Sequence, residues 1–212
     1  MEFRRARGSE QKQMRVQQII NAAAELYLDI GYDKVTFTGI VKKLNFARNS
    51  IYNYFSCKED IFLALLLQEI EKFVEDAKGI FTTEAKDVDT FCEEWAQLWS
   101  RHALMMGIFS IVNTVILKDA TETAHKEYRA NLHKIFWRLG DTVKTIFPSF
   151  TTEEINLFLE YQTFALAIFP TSIEFKKLNK IPIYEDTSFG PHTFADEYVP
   201  YLKMILGHLQ RQ

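Results

Sequence analysis

Apolar residues recur at helical spacing on both sides of a tight break at Asn45-Phe46, and this feature constrains the fold more than any other. Asn tolerates the left-handed backbone conformation found in tight turns. Because each segment has one apolar face, the stretch from Thr36 to Phe62 is predicted to be a helix-turn-helix. The two apolar faces consist of Ile40, Val41 and Leu44 before the break and of Ile51 and Phe55 after it.

The opposite side of the second segment is rich in hydrogen-bond donors and aromatic edges. Charge is unevenly placed along the chain, because residues 1–58 contain ten Lys or Arg against five Asp or Glu, whereas residues 59–212 contain fifteen against twenty-three. A basic N-terminal part on an acidic remainder is typical of phosphate contact confined to one end of a protein. The exposed side chains predicted to face DNA are Arg48, Asn49, Ser50, Tyr52 and Asn53.

The motifs of this region follow one order: a first helix that ends at Gly31, a Thr36 cap, the sequence IVKKL, a turn, and then S-I-Y-x-Y-F-x-x-K-E-D-I-F. In this order they resemble the TetR family of transcriptional regulators over residues 13–65, with Asn45 at a position where that family usually has Gly. The resemblance implies a homodimeric repressor that leaves a palindromic double-stranded DNA operator when a small molecule binds it.

The expected fold is all-α, with about nine helices as in TetR-like proteins, since helical periodicity continues along the chain and no strand-length alternation appears. Residues 1–58 are predicted to form a basic arm and a three-helix DNA-binding domain. Residues 59–212 are predicted to form a helical bundle for ligand binding and dimerisation. A helix over residues 59–78 is expected to join the two domains and to transmit the effect of a ligand.

By position in the family, the candidate DNA contacts divide into two groups. Phosphate contacts set the register of the protein on the duplex, whereas base contacts specify sequence. Asn pairs bidentately with adenine, and Arg48 is equally suited to guanine. The resemblance implies phosphate contacts by Thr38, Arg48, Tyr52, Tyr54 and Lys58, and base contacts by Asn49, Ser50 and Asn53.

Four segments outside the motif carry further expectations. Residues 1–12 lack apolar periodicity and are predicted to be a flexible basic arm, which either contacts the DNA backbone or only adds solubility. Residues 106–117 are apolar nearly all round, which predicts a buried helix at the centre of the bundle. Residues 171–192 have no helical period and either cover a pocket or a dimer edge or form a plain connection. Pro200 is expected to kink the last helix or to mark its start.

Aromatic and polar side chains of several bundle helices are predicted to look inward. They form either a plain apolar core, the commoner case at helical spacing, or a cavity for an apolar or aromatic effector. In the second case Asn113, His102 or His133 would orient the effector. The candidate residues are Trp95, Trp99, His102, Met105, Phe109, Asn113, His133, Trp137 and Phe164.

The last two helices are predicted to form the homodimer interface, because each shows more apolar surface than one core-facing stripe needs. Their candidate anchors are Phe158, Tyr161, Ala165, Tyr198, Leu202 and Ile205.

Catalysis has no support in the sequence, which contains no G-x-S-x-G, phosphate loop, metal triad or dinucleotide fingerprint. Neither an enzyme nor a cofactor or metal is therefore expected; haem ligation by Met105 with a histidine lacks an attachment motif. Cys57 beside Lys58 is either a redox sensor with a lowered thiol pKa or a small filler residue. A cytoplasmic protein without a membrane segment is expected. The alternative function is a helical carrier or enzyme whose helix-turn-helix is incidental.

Overall fold

The computed structural model describes residues 2–45, 47, 50–84, 87–163 and 193–210, with residues 2–9 described by their backbone alone. All regular structure in this part of the chain is helical, so the predicted all-α fold is confirmed. Short 3-10 turns lie at Tyr32–Lys34 and Ile51–Asn53, and a π turn at Val112–Ile116. The helices are α1 (Glu2–Ile30), α2 (Phe37–Leu44), α3 (Lys58–Ile80), α4 (Val88–Arg101), α5 (Ala103–Ile111), α6 (Leu117–Asp119), α7 (Glu122–Ile146), α8 (described over residues 152–163) and α9 (Phe194–Leu209).

Two compact units make up the chain. The N-terminal unit contains Met1–Gln68 and Ile111–Asn131, and the C-terminal unit contains Glu69–Ser110 and Leu132–Gln212. Helix α3 is continuous and contributes residues to both units, so the predicted joining helix is confirmed with slightly wider bounds. These two units are defined by which residues pack together. The predicted division by function, into residues 1–58 and 59–212, stays a prediction.

The ends of α1 and α2 follow from local chemistry. Gly31 stops α1 with φ of 76°, a conformation that a residue without Cβ adopts at little cost. The Oγ1 atom of Thr36 then accepts a hydrogen bond from the Gly39 backbone N–H at 3.0 Å, which caps α2. Asn45 ends α2 in the left-handed conformation, with φ of 52° and ψ of 34°. The predicted stop, cap and turn residue are all confirmed.

Three local predictions were wrong. Helix α1 already begins at Glu2, where a flexible arm was expected. Residues 1–12 contain several good helix formers, namely Ala, Arg, Glu, Gln and Lys. A helix that is held in place by its later, apolar residues can extend back through such a segment. The second segment of the motif is a 3-10 turn, Ile51–Asn53, within the described residues rather than a regular helix. The expected central helix over residues 106–117 is broken by the π turn, whose Asn113, Thr114 and Val115 are exposed.

The apolar face of α3 is buried along its whole length. Phe62 and Phe73 are both buried, and each packs its ring within a separate aromatic cluster. Phe62 lies 4.9 Å from Tyr32 in the N-terminal unit, measured between ring centroids. Phe73 lies 5.0 Å from Trp99 in the C-terminal unit by the same measure. The buried residues that the periodicity predicted are Phe62, Leu65, Leu66, Ile70, Phe73, Val74 and Ala77.

One buried amide joins three helices of the C-terminal unit. The Oε1 atom of Gln162 on α8 accepts a hydrogen bond from Trp95 Nε1 on α4 at 3.0 Å and another from the Tyr198 hydroxyl on α9. Its Nε2 atom donates to the Phe158 carbonyl at 2.8 Å. Since these polar groups are buried, each needs its partner in order to avoid a desolvation penalty.

Helix α9 begins with a reciprocal capping box. Thr193 Oγ1 accepts from the Asp196 backbone N–H, and the Asp196 carboxylate accepts from the Thr193 backbone N–H at 2.6 Å. Pro200 therefore lies inside α9 and does not mark its start. The predicted connection over residues 171–192 lies outside the described residues.

None of the described helices is by itself long and apolar enough to cross a membrane. Val88–Arg101 and Ala103–Asp119 reach the required length and apolarity only as a pair, and they are bent by 77° where they meet.

Replacing Gln162 with Leu should lower the free energy of unfolding by about 2 to 4 kcal/mol, because the Trp95 N–H and the Tyr198 hydroxyl would both stay buried without an acceptor. Glu160→Ala, an exposed change on the same helix, should alter stability by less than about 0.5 kcal/mol. Urea unfolding followed by circular dichroism at one fixed protomer concentration measures both. Equal midpoints for the two variants would show that the amide does not hold the helices together.

Candidate DNA-binding surface and effector cavity

An exposed polar surface lies on the N-terminal unit where α2 and the Ile51–Asn53 turn meet. Ile51 is completely buried and anchors this turn, while Tyr52 is 59% exposed and Asn53 is exposed. The Tyr52 ring packs 4.9 Å from the Phe37 ring, which holds it at the surface. Thr38 is exposed in the first turn of α2, where free backbone N–H groups favour an anion. We call Thr38, Tyr52 and Asn53 the N-terminal surface.

A broad cleft borders this surface and adds positive charge to it. The cleft has a volume of about 730 Å³, and Lys12 and Arg15 of α1 line it together with Asn53 and Tyr54. Sequence reasoning placed Lys12 in a flexible arm and did not identify Arg15. The helical spacing of Gln11, Arg15 and Gln18 was the signal that could have placed them on one face of α1.

Lys58 is held against the protein in this structure. Its ammonium lies 4.1 Å from the centre of the Tyr32 ring and donates to the Tyr32 carbonyl at 3.4 Å. The Tyr32 hydroxyl in turn donates to Glu59 Oε1 at 3.1 Å. A cation over an aromatic face is stabilised by about 0.5 to 1 kcal/mol at an exposed site, so a phosphate must compete with Tyr32 for Lys58.

The other predicted DNA contacts fall into two groups. Ser50 and Tyr54 are half-buried, and the Ser50 hydroxyl donates to the Ala47 carbonyl of its own turn at 2.7 Å. Arg48 and Asn49 lie outside the described residues.

The start of α7 is fixed to the first turn of α3 inside the N-terminal unit. Asp60 is only 7% exposed, and its Oδ1 atom accepts from the Thr121 backbone N–H at 2.9 Å and from the Thr121 hydroxyl at 3.1 Å. A carboxylate at the N-terminus of the long helix α7 is also favoured by the helix dipole. This junction was not predicted, because no local pattern relates positions 61 residues apart.

Cys57 lies beside this junction, and its thiol donates to the Asp119 carbonyl at 3.6 Å. Burial raises the pKa of the Cys57 thiol to about 11. Of the two alternatives for Cys57, this favours the small filler residue over the redox sensor, because desolvation of the thiolate outweighs the position near a helix start. Burial likewise raises the pKa of Cys92 to about 11.

A small apolar cavity of about 30 Å³ lies in the C-terminal unit among side chains of α3, α4, α5, α7 and α8. Trp99, Met105 and Phe109 line it, as the pocket hypothesis expected. Trp95 and His102 are buried but are not part of its lining. The described residues that line it are Ile70, Phe73, Trp99, Met105, Phe109, Phe136, Leu139, Leu159, Gln162 and Thr163.

His102 lies at the bend between α4 and α5. Its Nε2 atom is 3.1 Å from Asp76 Oδ2, and its ring packs edge-on against Phe73 at 5.3 Å. Burial lowers the pKa of His102, against the opposing effect of the Asp76 carboxylate. The residue is thus a buried, hydrogen-bonded imidazole.

Three predicted pocket residues face solvent instead, so their predicted inward orientation was wrong. Trp137 is 60% exposed and donates from Nε1 to Nε2 of exposed His133 at 3.2 Å. Ile135 and Leu139 define the buried face of α7, and a position two residues away points to the opposite side of a helix. Asn113 is exposed in the π turn, and Phe164 lies outside the described residues.

Most of the predicted dimer anchors are buried in the core of their own chain. Helix α9 packs on α4, which uses the apolar surface that was assigned to a partner. Tyr161 is half-buried, Ala165 lies outside the described residues, and Met204 on the outer side of α9 is 64% exposed. The predicted anchors that are buried within the chain are Phe158, Tyr198, Leu202 and Ile205.

Comparison with known families gives two adjacent matches that together span most of the chain. Residues 19–65 match the family described as bacterial regulatory proteins, tetR family. Residues 67–207 match the family described as tetracyclin repressor-like, C-terminal domain.

A fatty acid metabolism regulator protein of Bacillus subtilis (strain 168) is 28% identical over 127 residues, which are 59% of this chain and 62% of that relative. The match thus spans less than two thirds of the relative's length.

Solved structures share the fold over nearly the whole chain. The fatty acid degradation regulator FadR from Bacillus halodurans has a TM-score of 0.57 and 19% identity, with 92% of this chain and 96% of that chain covered. A TetR-family transcriptional regulator from Syntrophomonas wolfei has a TM-score of 0.52 and 18% identity, with the same two coverages. At these identities the likeness shows the fold.

The raised thiol pKa predicts slow alkylation of Cys57 in the folded protein. Near neutral pH we expect iodoacetamide to modify it roughly 100-fold more slowly than in the urea-unfolded chain, where the pKa is about 8.5. The rate in the folded protein should keep rising about tenfold per pH unit beyond pH 9, because the thiol is still mostly protonated there. Mass spectrometry of the tryptic peptide follows the reaction. A rate that levels off below about pH 8.5 in the folded protein would contradict the raised pKa.

Proposed function

We propose that this chain, which belongs to the TetR family of bacterial regulatory proteins, is a repressor that leaves a palindromic DNA operator when a small apolar molecule binds its C-terminal unit. It is a DNA-binding transcriptional regulator. Its relatives are regulators and not enzymes, and we extend the same absence of catalysis to this chain. Residues 1–58 supply DNA binding in this proposal, and residues 59–212 supply effector binding and dimerisation in the cytoplasm.

Contact with DNA is assigned to the N-terminal surface and the basic cleft beside it. Asn53 is exposed on an anchored turn and is suited to bidentate pairing with adenine. Lys12 and Arg15 place two cations on the same side as Asn53, where they would hold phosphates. Thr38 at the start of α2 adds a hydroxyl and backbone donors. Arg48, Asn49, Ser50, Tyr52, Tyr54 and Lys58 remain proposed contacts from family position.

The effector is proposed to be an acyl-chain compound that enters the cavity of the C-terminal unit. Two relatives are named for the regulation of fatty acid metabolism and fatty acid degradation. The cavity lining agrees with this class, because eight of its ten described residues are apolar and none of those ten is charged. Among the described residues, no observation supports binding of haem or of a metal ion as the alternative to an acyl-chain effector.

The observation that carries the proposed regulation is the place of α3 in both units. Ile70 and Phe73 of α3 line the cavity, and the same helix begins at Lys58, one of the proposed DNA contacts. The cavity holds about 30 Å³, whereas ligand sites usually enclose roughly 300 to 1,000 Å³. An effector must therefore push the lining apart and displace α3. The Asp60–Thr121 junction on the first turn of α3 is the element that would pass this movement to the DNA contacts.

A homodimer is typical of this family and would present two N-terminal surfaces to a palindrome whose half-sites lie about 34 Å apart, or a multiple of that. Since most predicted anchors are buried within the chain, we assign the partner contact on α9 to its outer side, which carries Pro200, Met204 and His208. Light scattering at micromolar concentration without DNA tests this state, and a monomer would overturn it.

Asn53→Ala should reduce the preference for operator over random DNA by about 1 to 3 kcal/mol, because a bidentate base contact is lost. Lys12→Ala should instead weaken both duplexes alike and lower the salt slope by about one, because it removes a phosphate contact. Fluorescence anisotropy with a duplex from the promoter of its own gene, at several salt concentrations, separates the two effects. The assignment of Asn53 to bases is wrong if its variant weakens operator and random DNA equally.

Effector and operator should oppose each other reciprocally. With methyl decanoate as the probe, we expect operator DNA to weaken its binding by roughly 5- to 150-fold, the usual range of allosteric coupling. Thermodynamic linkage requires the probe to weaken operator binding by the same factor. Calorimetric titrations with operator, with random DNA as the control, and without DNA measure the coupling. Equal probe affinities in all three titrations would exclude it.

A further inference from the structure

The indole N–H of Trp99 is a buried hydrogen-bond donor that has no acceptor in the part of the chain that the structure describes. Trp99 is only 6% exposed and lines the cavity of the C-terminal unit. Its Nε1 atom has no hydrogen-bond partner among the residues that the structure describes. Indole nitrogen donates and never accepts, and buried polar groups are nearly always paired. Because Trp99 also lines the cavity, a ligand that opens the cavity can supply the acceptor that this donor lacks.

The other two indoles of the chain show that this is specific to Trp99. Trp95 Nε1 donates to Gln162 at 3.0 Å, and Trp137 Nε1 donates to His133 at 3.2 Å. Trp95 is deeper in the core than Trp99 and is nevertheless paired, so burial alone does not explain the unpaired donor.

The other polar groups of the lining, Gln162 and Thr163, each have at least one hydrogen-bond partner. Gln162 Oε1 accepts two hydrogen bonds, and Gln162 Nε2 donates to the Phe158 carbonyl. The Thr163 hydroxyl donates to the Glu160 carbonyl at 2.7 Å. No lysine, arginine or histidine is among the described residues that line the cavity, and His102 nearby directs its Nε2 atom to Asp76. The described part of the lining thus offers a neutral donor and no positive charge.

We infer that the cavity takes the uncharged carbonyl end of an apolar chain, as in an ester, thioester or ketone, with the carbonyl oxygen accepting a hydrogen bond from Trp99 Nε1. A carboxylate is disfavoured at this position, because none of the described lining residues is a cation and burying an ionised group without one costs far more than one hydrogen bond returns. A plain hydrocarbon fits the lining but leaves the Trp99 donor unpaired. The inference rests on the proposed effector role of the cavity and adds the charge and polarity of the group that enters it.

Binding of three probes with chains of similar length distinguishes these cases: methyl decanoate, decanoate and decane. The wild-type protein should bind the ester roughly 3- to 10-fold more tightly than the alkane, the gain expected from one hydrogen bond. It should bind the ester more tightly than the carboxylate. Trp99→Phe should bind ester and alkane equally, whereas Trp137→Phe, which removes an exposed indole, should keep the wild-type ratio.

Indole N–H resonances of isotope-labelled wild-type protein give a second readout that does not depend on a substituted Trp99. The chain has three tryptophans, and Trp95→Phe and Trp137→Phe identify the resonances of the other two. The Trp99 proton should move downfield with the ester and stay in place with the alkane, because a new acceptor deshields it.

An unchanged ester-to-alkane ratio in Trp99→Phe, or tighter binding of decanoate than of the ester by wild type, would overturn the inference. Failure of all three probes to bind a wild-type protein that still shifts operator DNA would also overturn it, while the regulatory function would stand. Failure to bind operator DNA, with normal ester binding, would overturn the proposed function and leave the carbonyl site standing.

Discussion

Burial of one continuous helix face is the constraint on which the rest of this structure depends. Helix α3 spans 23 residues, and its rings of Phe62 and Phe73 are both buried, each in a different aromatic cluster. An α-helix keeps its backbone hydrogen bonds only when it bends gently. Aromatic packing therefore anchors α3 at one point in each unit, and the proposed regulation depends on the helix between these two points.

The sequence predicted the features that depend on local chemistry. The Gly31 stop, the Thr36 cap, the left-handed Asn45 and the buried stripe of α3 all follow from backbone sterics and helical spacing. The prediction of inward-facing residues failed where two nearby apolar residues cannot both face the interior. Trp137 and Ile135 are both apolar and lie two residues apart, so that only one of them can face inward. Periodicity alone does not say which face of α7 the other helices will cover.

A single sequence also does not tell which element covers an apolar helix face. The surplus apolar surface of α9 was expected to pack against a second copy of the chain, but α4 covers much of it. The energy of burying apolar area is nearly the same for either partner, and only the course of the chain decides between them. Likewise, the Asp60–Thr121 junction joins residues whose side chains are common anywhere, and the three-dimensional fold alone brings them to 2.9 Å.

The raised pKa values of both native thiols have a practical consequence for measuring the proposed mechanism. Cys57 and Cys92 are held as neutral thiols by desolvation, so neither competes well for a maleimide reagent near neutral pH. A cysteine introduced at exposed Lys12 would be labelled selectively in the native background, without removing the wild-type residues. In a two-fold dimer, one such labelled cysteine per chain gives a single pair of spin labels or dyes. The distance between the two labels measures how far apart the two DNA-binding ends are in solution.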